Sequence, residues 1–248
     1  MATLYTFAIS HYCEKARWSL DLCGLDYREV HWVPGPHVVA ARRIAAGGSS
    51  VPILTSAGNT IQGSGAILDW LESAGRAGWH HEASSAERGE IERIEERADR
   101  GLGVAVRRLI YAASLPTEPL AVARQLLRGA SWRQTPLAWL MWPVTRRLIM
   151  SGLHAKAEDV PQARAGVEKE LDHLDERLGD ERRFLVGDRL TRADITVASL
   201  ISPIARPAQH PVYAAMTPWP TYRTIIEAYS DRPCVRWAND IYRDFRQV

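Results

Sequence analysis

The chain has 248 residues, 46% of them apolar, and 31 Lys and Arg against 29 Asp and Glu give a net charge of +2. That length accommodates two compact domains or one large one, and that apolar share excludes global disorder. A near-neutral balance gives no electrostatic case for nucleic acid as a partner. The cysteines, Cys13, Cys23 and Cys234, are few, odd in number and without C-x-x-C spacing. They point to a reducing, cytoplasmic setting and against a disulfide scaffold or a zinc site. The chain enters a strand directly, so no signal peptide is expected. No apolar run approaches the roughly 20 residues of a membrane span. The best candidate, residues 136–150, is broken by Pro143, Arg146 and Arg147, so no membrane partner is expected.

Residues 1–75 alternate in type. An apolar run over 4–9 predicts a buried strand, and an amphipathic run over 12–23 predicts a helix closed by Gly24. Residues 27–32 predict a second strand, Pro34-Gly35-Pro36 a turn, and 37–46 a weaker helix ended by Gly47-Gly48. Residues 51–55 predict a third strand, Ala57-Gly58-Asn59 a tight hairpin turn, and 60–62 a fourth strand. A third helix comes next over 64–72, opened by Ser64 as a cap. This order is that of a thioredoxin-like α/β domain, with its first two strands parallel through a right-handed crossover.

Small polar residues over 76–85 predict a linker. Trp79-His80-His81 lies within it, but adjacent side chains point apart and no third ligand is near, so no metal is expected. Residues 86–248 predict an all-helical domain. One long helix is expected over 86–113, with surface Glu/Arg pairs along its early face. Residues 115–153, with Trp132, Trp139, Met141, Trp142 and several prolines, predict an irregular helical hairpin over a cleft. Its Trp and Met read first as core, with a pocket wall for an apolar ligand as the alternative. Residues 160–178 carry an apolar stripe, Val167, Leu171, Leu174 and Leu178. Thr191 and Asp194 have capping-box spacing and open a nearly uncharged helix over 193–204. Two outer helices, 222–229 and 233–245, end the chain.

Chemistry is most legible at Ser10 and Cys13. Ser10 falls at a helix entrance, where its hydroxyl can cap free amides, and such an N-terminus can hold an anion or lower a thiol pKa. The plain alternative makes Ser10 only a cap and Cys13 only a small apolar residue.

Four separated pieces resemble the cytosolic glutathione transferase superfamily. Ser10-x-x-Cys13-x-Lys15-x-Arg17 is similar to its first-helix signature, and Ser50-Val51-Pro52-Ile53-Leu54 to its cis-proline loop. Ser64-Gly65-Ala66-Ile67-Leu68-Asp69-Trp70-Leu71 is similar to its third helix, and Gly187 to Asp194 to its capping motif. The order and spacing match over almost the full chain. The resemblance implies a thioredoxin-like domain followed by an all-α domain, with glutathione as cosubstrate. A cis Pro52 would free the Val51 N–H and C=O for an added peptide strand. Ser64, at a helix N-terminus, would take the γ-glutamyl carboxylate. Tyr12, Gln62 and Gly63 would complete the glutathione site.

Ser10 would hydrogen-bond the thiolate, with Cys13 standing where a second, resolving thiol of a redox protein would be. Tyr5 is one residue out of register for a Tyr-type hydroxyl. An apolar electrophile would lie near Val104, Arg108 and Tyr111, and a homodimer is implied. One departure is clear: the family places Glu or Gln directly before the serine of the third helix, and here Gly63 stands there with Gln62 one earlier. A non-catalytic binding or scaffold protein, or a Cys13-dependent reductase or isomerase, are therefore the alternatives.

Overall fold

The computed structural model describes residues 1–45, 48–77, 79, 84–132, 134–179 and 182–246. The first strand, β1, is Ala2–Thr6, followed by helix α1 (His11–Leu22), β2 (Tyr27–His31), α2 (His37–Ile44), β3 (Ile53–Ser56), β4 (Asn59–Gln62) and α3 (Ser64–Ser73). Helices α4 (Ser85–Arg97), α5 (Gly103–Thr117), α6 (Pro119–Leu126), α7 (Thr135–Gly152), α8 (Val160–Leu178), α9 (Arg192–Ala205), α10 (Pro220–Tyr229) and α11 (Pro233–Phe245) complete the chain. The chain divides into two compact units: Met1–Gly78 with Pro119–Ile149, and Trp79–Glu118 with Met150–Val248. Of the linker, residues 78 and 80–83, including His80 and His81, lie outside the described residues, as does Gly47.

The first unit carries a four-stranded sheet of order β2-β1-β3-β4, with β1 parallel to β2 and antiparallel to β3, and β3 antiparallel to β4. It is the thioredoxin-like sheet the alternation implied. Strand β1 begins two residues earlier than the apolar run and ends at Thr6. Its last rung is held by the Trp32 N–H on the Thr6 carbonyl, and Phe7, Ala8 and Ile9 form the turn into α1. The β3–β4 hairpin turns on Ala57 and Gly58, with φ of 49° and 83°. Two successive positive φ values are what a two-residue I′ turn needs.

Leu4, Trp18, Leu20, Leu54, Ile67, Leu68 and Leu71 are fully buried, and α1 packs on α3. Trp32, Ala41, Ala45 and Ile53 form a further cluster with Tyr5, Phe7 and Val51 against it, and Tyr5 stacks on Trp32 at 4.7 Å. The α6–α7 hairpin belongs to this unit because two glycines admit it. A Cβ on Gly35 would meet Thr145 Oγ1 at 2.8 Å, and one on Gly129 would meet the His31 ring.

The Trp- and Met-rich hairpin is not a core element throughout. Ala138, Trp142 and Thr145 are buried, but Trp132 is 77% exposed and Leu140 79%. Spacing alone could not show this, because α7 is apolar on two faces and only one of them meets the protein.

In the second unit, the run expected over 86–113 extends from Ser85 to Thr117 and contains one turn of π-helix at Ala98–Leu102. Its charges are not all solvated pairs. Glu95 is buried against Arg192, whose Nη2 donates at 3.0 Å, and Arg97 reaches Glu170 on α8 at 2.9 Å. Helix α8 has the expected bounds and buries Val167, Leu171, Leu174 and Leu178. Helix α9 is buried from Arg192 to Ile204. It is opened by Asp194, which accepts from the Leu185 N–H at 2.7 Å, the Thr191 N–H at 2.7 Å and the Thr191 hydroxyl at 2.8 Å.

Candidate functional site

Register places the first-unit residues singled out in the sequence at one end of the sheet. Tyr5 lies opposite Ile53, and Ile53 lies opposite Gln62. The chain leaves this rung through Phe7–Ser10, arrives through Val51-Pro52 and leaves again through Gly63-Ser64. The Gly63 N–H donates to the Pro52 carbonyl at 2.9 Å, tying the last two together. Both α1 and α3 therefore start at the same sheet end, each with the partial positive charge of a helix N-terminus.

Ser10 caps α1, its hydroxyl accepting from the Cys13 N–H at 3.3 Å. Ser10 itself is half-buried. Tyr12 is also half-buried, its ring 4.7 Å from that of His11. Cys13 differs. Its side chain is fully buried, and burial pushes the thiol up to about 11 although Arg17 and Ser10 pull it down. A buried thiol held in its neutral form is a poor nucleophile, because the thiolate is the reactive species.

The Val51-Pro52 peptide bond is cis, as the sequence implied. Among the described residues nothing pairs with the Val51 N–H or C=O. Ser64 is not the cap of α3 that the sequence suggested: Gly63 is, and Ser64 is the first helical residue. Gly63 has φ of 101° and ψ of 144°, a backbone closed to residues with a Cβ except under strain. Ser64 is 6% exposed, and its hydroxyl has no partner among the described residues. The Gln62 amide donates to the Ser50 carbonyl at 2.8 Å, so the side chain braces the loop before Pro52.

Beneath the α1 entrance lies a polar cluster that residue spacing did not reveal. Arg17 donates from Nη1 to Glu14 at 2.7 Å, and from Nε and Nη2 to Glu29 at 2.9 and 2.7 Å. The Thr6 hydroxyl gives its one proton to Glu29 at 2.6 Å, so the His31 Nδ1 at 2.9 Å must be the donor to Thr6. Burial alone would raise the Glu29 carboxyl, but Arg17 and Thr6 outweigh it and hold it below the ordinary range. Desolvation holds His31 below its ordinary value, against the pull of Glu29. The inward position of Thr6 on β1 was the available signal; partners on a parallel neighbour cannot be read from one strand.

Val104, Arg108 and Tyr111 sit on α5 in the second unit. Val104 is 39% exposed and Tyr111 half-buried. Arg108 makes its hydrogen bonds within the second unit. Its Nε donates to the His154 carbonyl at 3.0 Å, and its Nη2 to Gln162 at 2.9 Å and Asp159 at 3.4 Å. It braces α5 against the start of α8. Among the described residues no group of three or more His, Cys, Asp or Glu is placed to hold a metal ion.

Two family profiles match: "Glutathione S-transferase, N-terminal domain" over residues 4–77 and "Glutathione S-transferase, C-terminal domain" over 137–218. A glutathione S-transferase from Rhodospirillum rubrum F11 is 25% identical, with a TM-score of 0.57 over 96% of this chain and 91% of its own. One from Methylobacterium radiotolerans, in complex with glutathione sulfonate, is 20% identical, with a TM-score of 0.56 over 95% and 92%. One from Methylobacillus flagellatus, with glutathione bound, is 18% identical, with a TM-score of 0.55 over 96% and 98%. No curated protein matches by sequence.

Proposed function

Because the chain belongs to the glutathione S-transferase superfamily, we propose that it binds glutathione at the Ser10, Val51 and Ser64 end of its sheet and transfers the thiol to an apolar electrophile. The observation that carries this reading is the convergence on one sheet end of two helix N-termini and a backbone edge at Val51 that is unpaired among the described residues. The edge offers one N–H and one C=O, the pair that the cysteinyl part of a tripeptide presents in return. Ser64 and the α3 N-terminus receive the γ-glutamyl carboxylate.

The Ser10 hydroxyl then donates to the glutathione sulfur while accepting from Cys13. A hydrogen bond to the thiolate favours the ionised form and lowers the thiol pKa. The thiolate attacks the electrophilic carbon. In substitution the leaving group departs with the bond's electron pair; in addition the proton lost from sulfur is returned to the neighbouring carbon. A homodimer completes the proposal, and sedimentation equilibrium separates 27.8 kDa from twice that mass.

The test is calorimetric binding of glutathione and turnover of 1-chloro-2,4-dinitrobenzene by wild type and Ser10→Ala. We expect Ser10→Ala to lower kcat/KM by about 10²-fold, the size of one donor lost at a developing charge. Its pH–rate profile should also move to higher pH. Unchanged turnover would remove Ser10 from its role.

A second reading has its own observation. Gln62 is bound to Ser50 and Gly63 has no side chain, so the γ-glutamyl amino group meets no carboxylate or amide there. A scaffold protein that keeps the fold without transfer fits that loss. Absence of glutathione binding at millimolar concentration selects it.

A further inference from the structure

Helices α6 and α7 form an inserted hairpin: α5 and α8, the elements on either side, pack directly on each other without it. One face of α7, through Ala138, Trp142 and Thr145, is buried in the first unit. A second face repeats Leu137, Leu140, Val144 and Leu148 at three- and four-residue steps, and these are 50, 79, 58 and 65% exposed. Trp132, before the helix, and Leu120, on α6, add to the exposed apolar surface. A helix that is apolar on two faces while one of them meets water is a helix missing a partner.

The charge of the segment says which partner. Residues 119–153 contain Arg124, Arg128, Arg133, Arg146 and Arg147 and no Asp or Glu. The remainder of the chain is correspondingly acidic: 26 basic residues against 29 acidic, from the totals of 31 and 29 less these five. Arg124 and Arg147 are exposed. A second copy placed symmetrically on this face would set arginine against arginine with no carboxylate from either hairpin to answer it. A layer of anionic headgroups over hydrocarbon satisfies both features at once, arginine meeting phosphate while Leu, Val and Trp enter the interface.

We infer that the exposed face of the α6–α7 hairpin is a peripheral docking surface for an anionic phospholipid bilayer. No helix among the described residues is long and apolar enough to cross a membrane, so attachment is to one leaflet. It is reversible and weakened by salt, because screening shortens the reach of the arginines from about 10 Å at 0.1 M to about 3 Å at 1 M.

The test is flotation of the full chain with phosphatidylcholine vesicles containing phosphatidylglycerol, against pure phosphatidylcholine. Wild type should float with the anionic vesicles only, and less at high salt. Arg124→Gln with Arg147→Gln should weaken partitioning more than tenfold, at about fivefold for each basic side chain near an anionic surface. Leu140→Glu with Leu148→Glu should abolish it, and a thermal melt like that of wild type shows the variant folded. Failure to float with anionic vesicles, or equal flotation of the glutamate variant, overturns the inference. So does a fall in oligomeric state of the glutamate variant, which gives the face to a second copy. Retention on immobilised polyglutamate without flotation likewise overturns it, in favour of an acidic protein surface. None of these outcomes bears on glutathione binding at the sheet end.

Discussion

Replacing Asp194 with alanine separates two opposed effects at the start of α9. The carboxylate accepts from the Leu185 N–H, the Thr191 N–H and the Thr191 hydroxyl, and the residue is fully buried. Orphaning three buried donors costs roughly 1–3 kcal/mol each. Removing the buried charge offsets part of that. Burial raises the carboxyl from an ordinary 3.8 to about 6, and the three hydrogen bonds only partly resist it. At neutral pH the net loss should be about 3 kcal/mol, which in a chain of this size lowers Tm by roughly 6–12 °C.

The sign of the pH dependence is the sharper test. A folded-state pKa above the unfolded one gives stability that is complete below pH 3.8 and is lost as pH rises through about 6. Between pH 7 and pH 5 the gap between wild type and Asp194→Ala should therefore widen by about 1 kcal/mol, at about 1.4 kcal/mol per pH unit inside the window. Urea denaturation of both proteins across that range measures it. A gap that narrows toward acid would mean that hydrogen bonding, not burial, sets the Asp194 titration, and the reasoning would fail.

Gly129→Ala should loosen the hairpin. Its φ is 75°, and the new Cβ would meet His31 Cγ at 2.8 Å and Cδ2 closer still. The cost should be at least about 1–3 kcal/mol, and limited proteolysis should cut sooner within 119–149; an unchanged digest refutes the contact. Glu29→Gln should destabilise by about 3 kcal/mol at neutral pH, as breaking a largely buried ion pair does. Because the Glu29 carboxyl is held below its ordinary value, its contribution is present above pH 4.5 and lost as pH falls. The variant's acid unfolding limb should therefore be flatter than that of wild type, and parallel limbs would count against the pairing. Cys13→Ala should leave transfer intact and cost about 1 kcal/mol of packing, and iodoacetamide should not label Cys13 in the folded protein. Activity lost in that variant would return the thiol to the mechanism.

Most of the first unit was legible in the sequence because its signals are local. The Ala57-Gly58 turn, the Ser10 cap and the closing Gly24 are each set by backbone preferences of single residues. Stripes at helical spacing likewise gave α8 its bounds. Local pattern could not give direction. Leu140 and Trp142 are equally apolar, yet one faces water and the other the core. Arg108 has the same donors whether it meets a substrate or Asp159 and Gln162. At the site, Val51-Pro52 and Ser64 were found through motif order, whereas the commitment of Gln62 to Ser50 depends on how β4 ends beside the preceding loop. The Arg17–Glu29 pair joins a helix to a parallel strand, and no spacing rule links residues across that crossover.

The π turn at Ala98–Leu102 loosens the hydrogen-bond ladder at one point of the run from Ser85 to Thr117. There the Gly103 N–H reaches back five residues, to the Ala98 carbonyl, where a regular helix reaches back four. Gly101 sits inside the widened turn, and a Cβ there would meet the Glu170 carboxyl carbon at 2.9 Å. The swollen turn thus offers α8 a notch without a side chain, into which Glu170 closes while it holds Arg97 at 2.9 Å. A methyl group at position 101 would fill that notch.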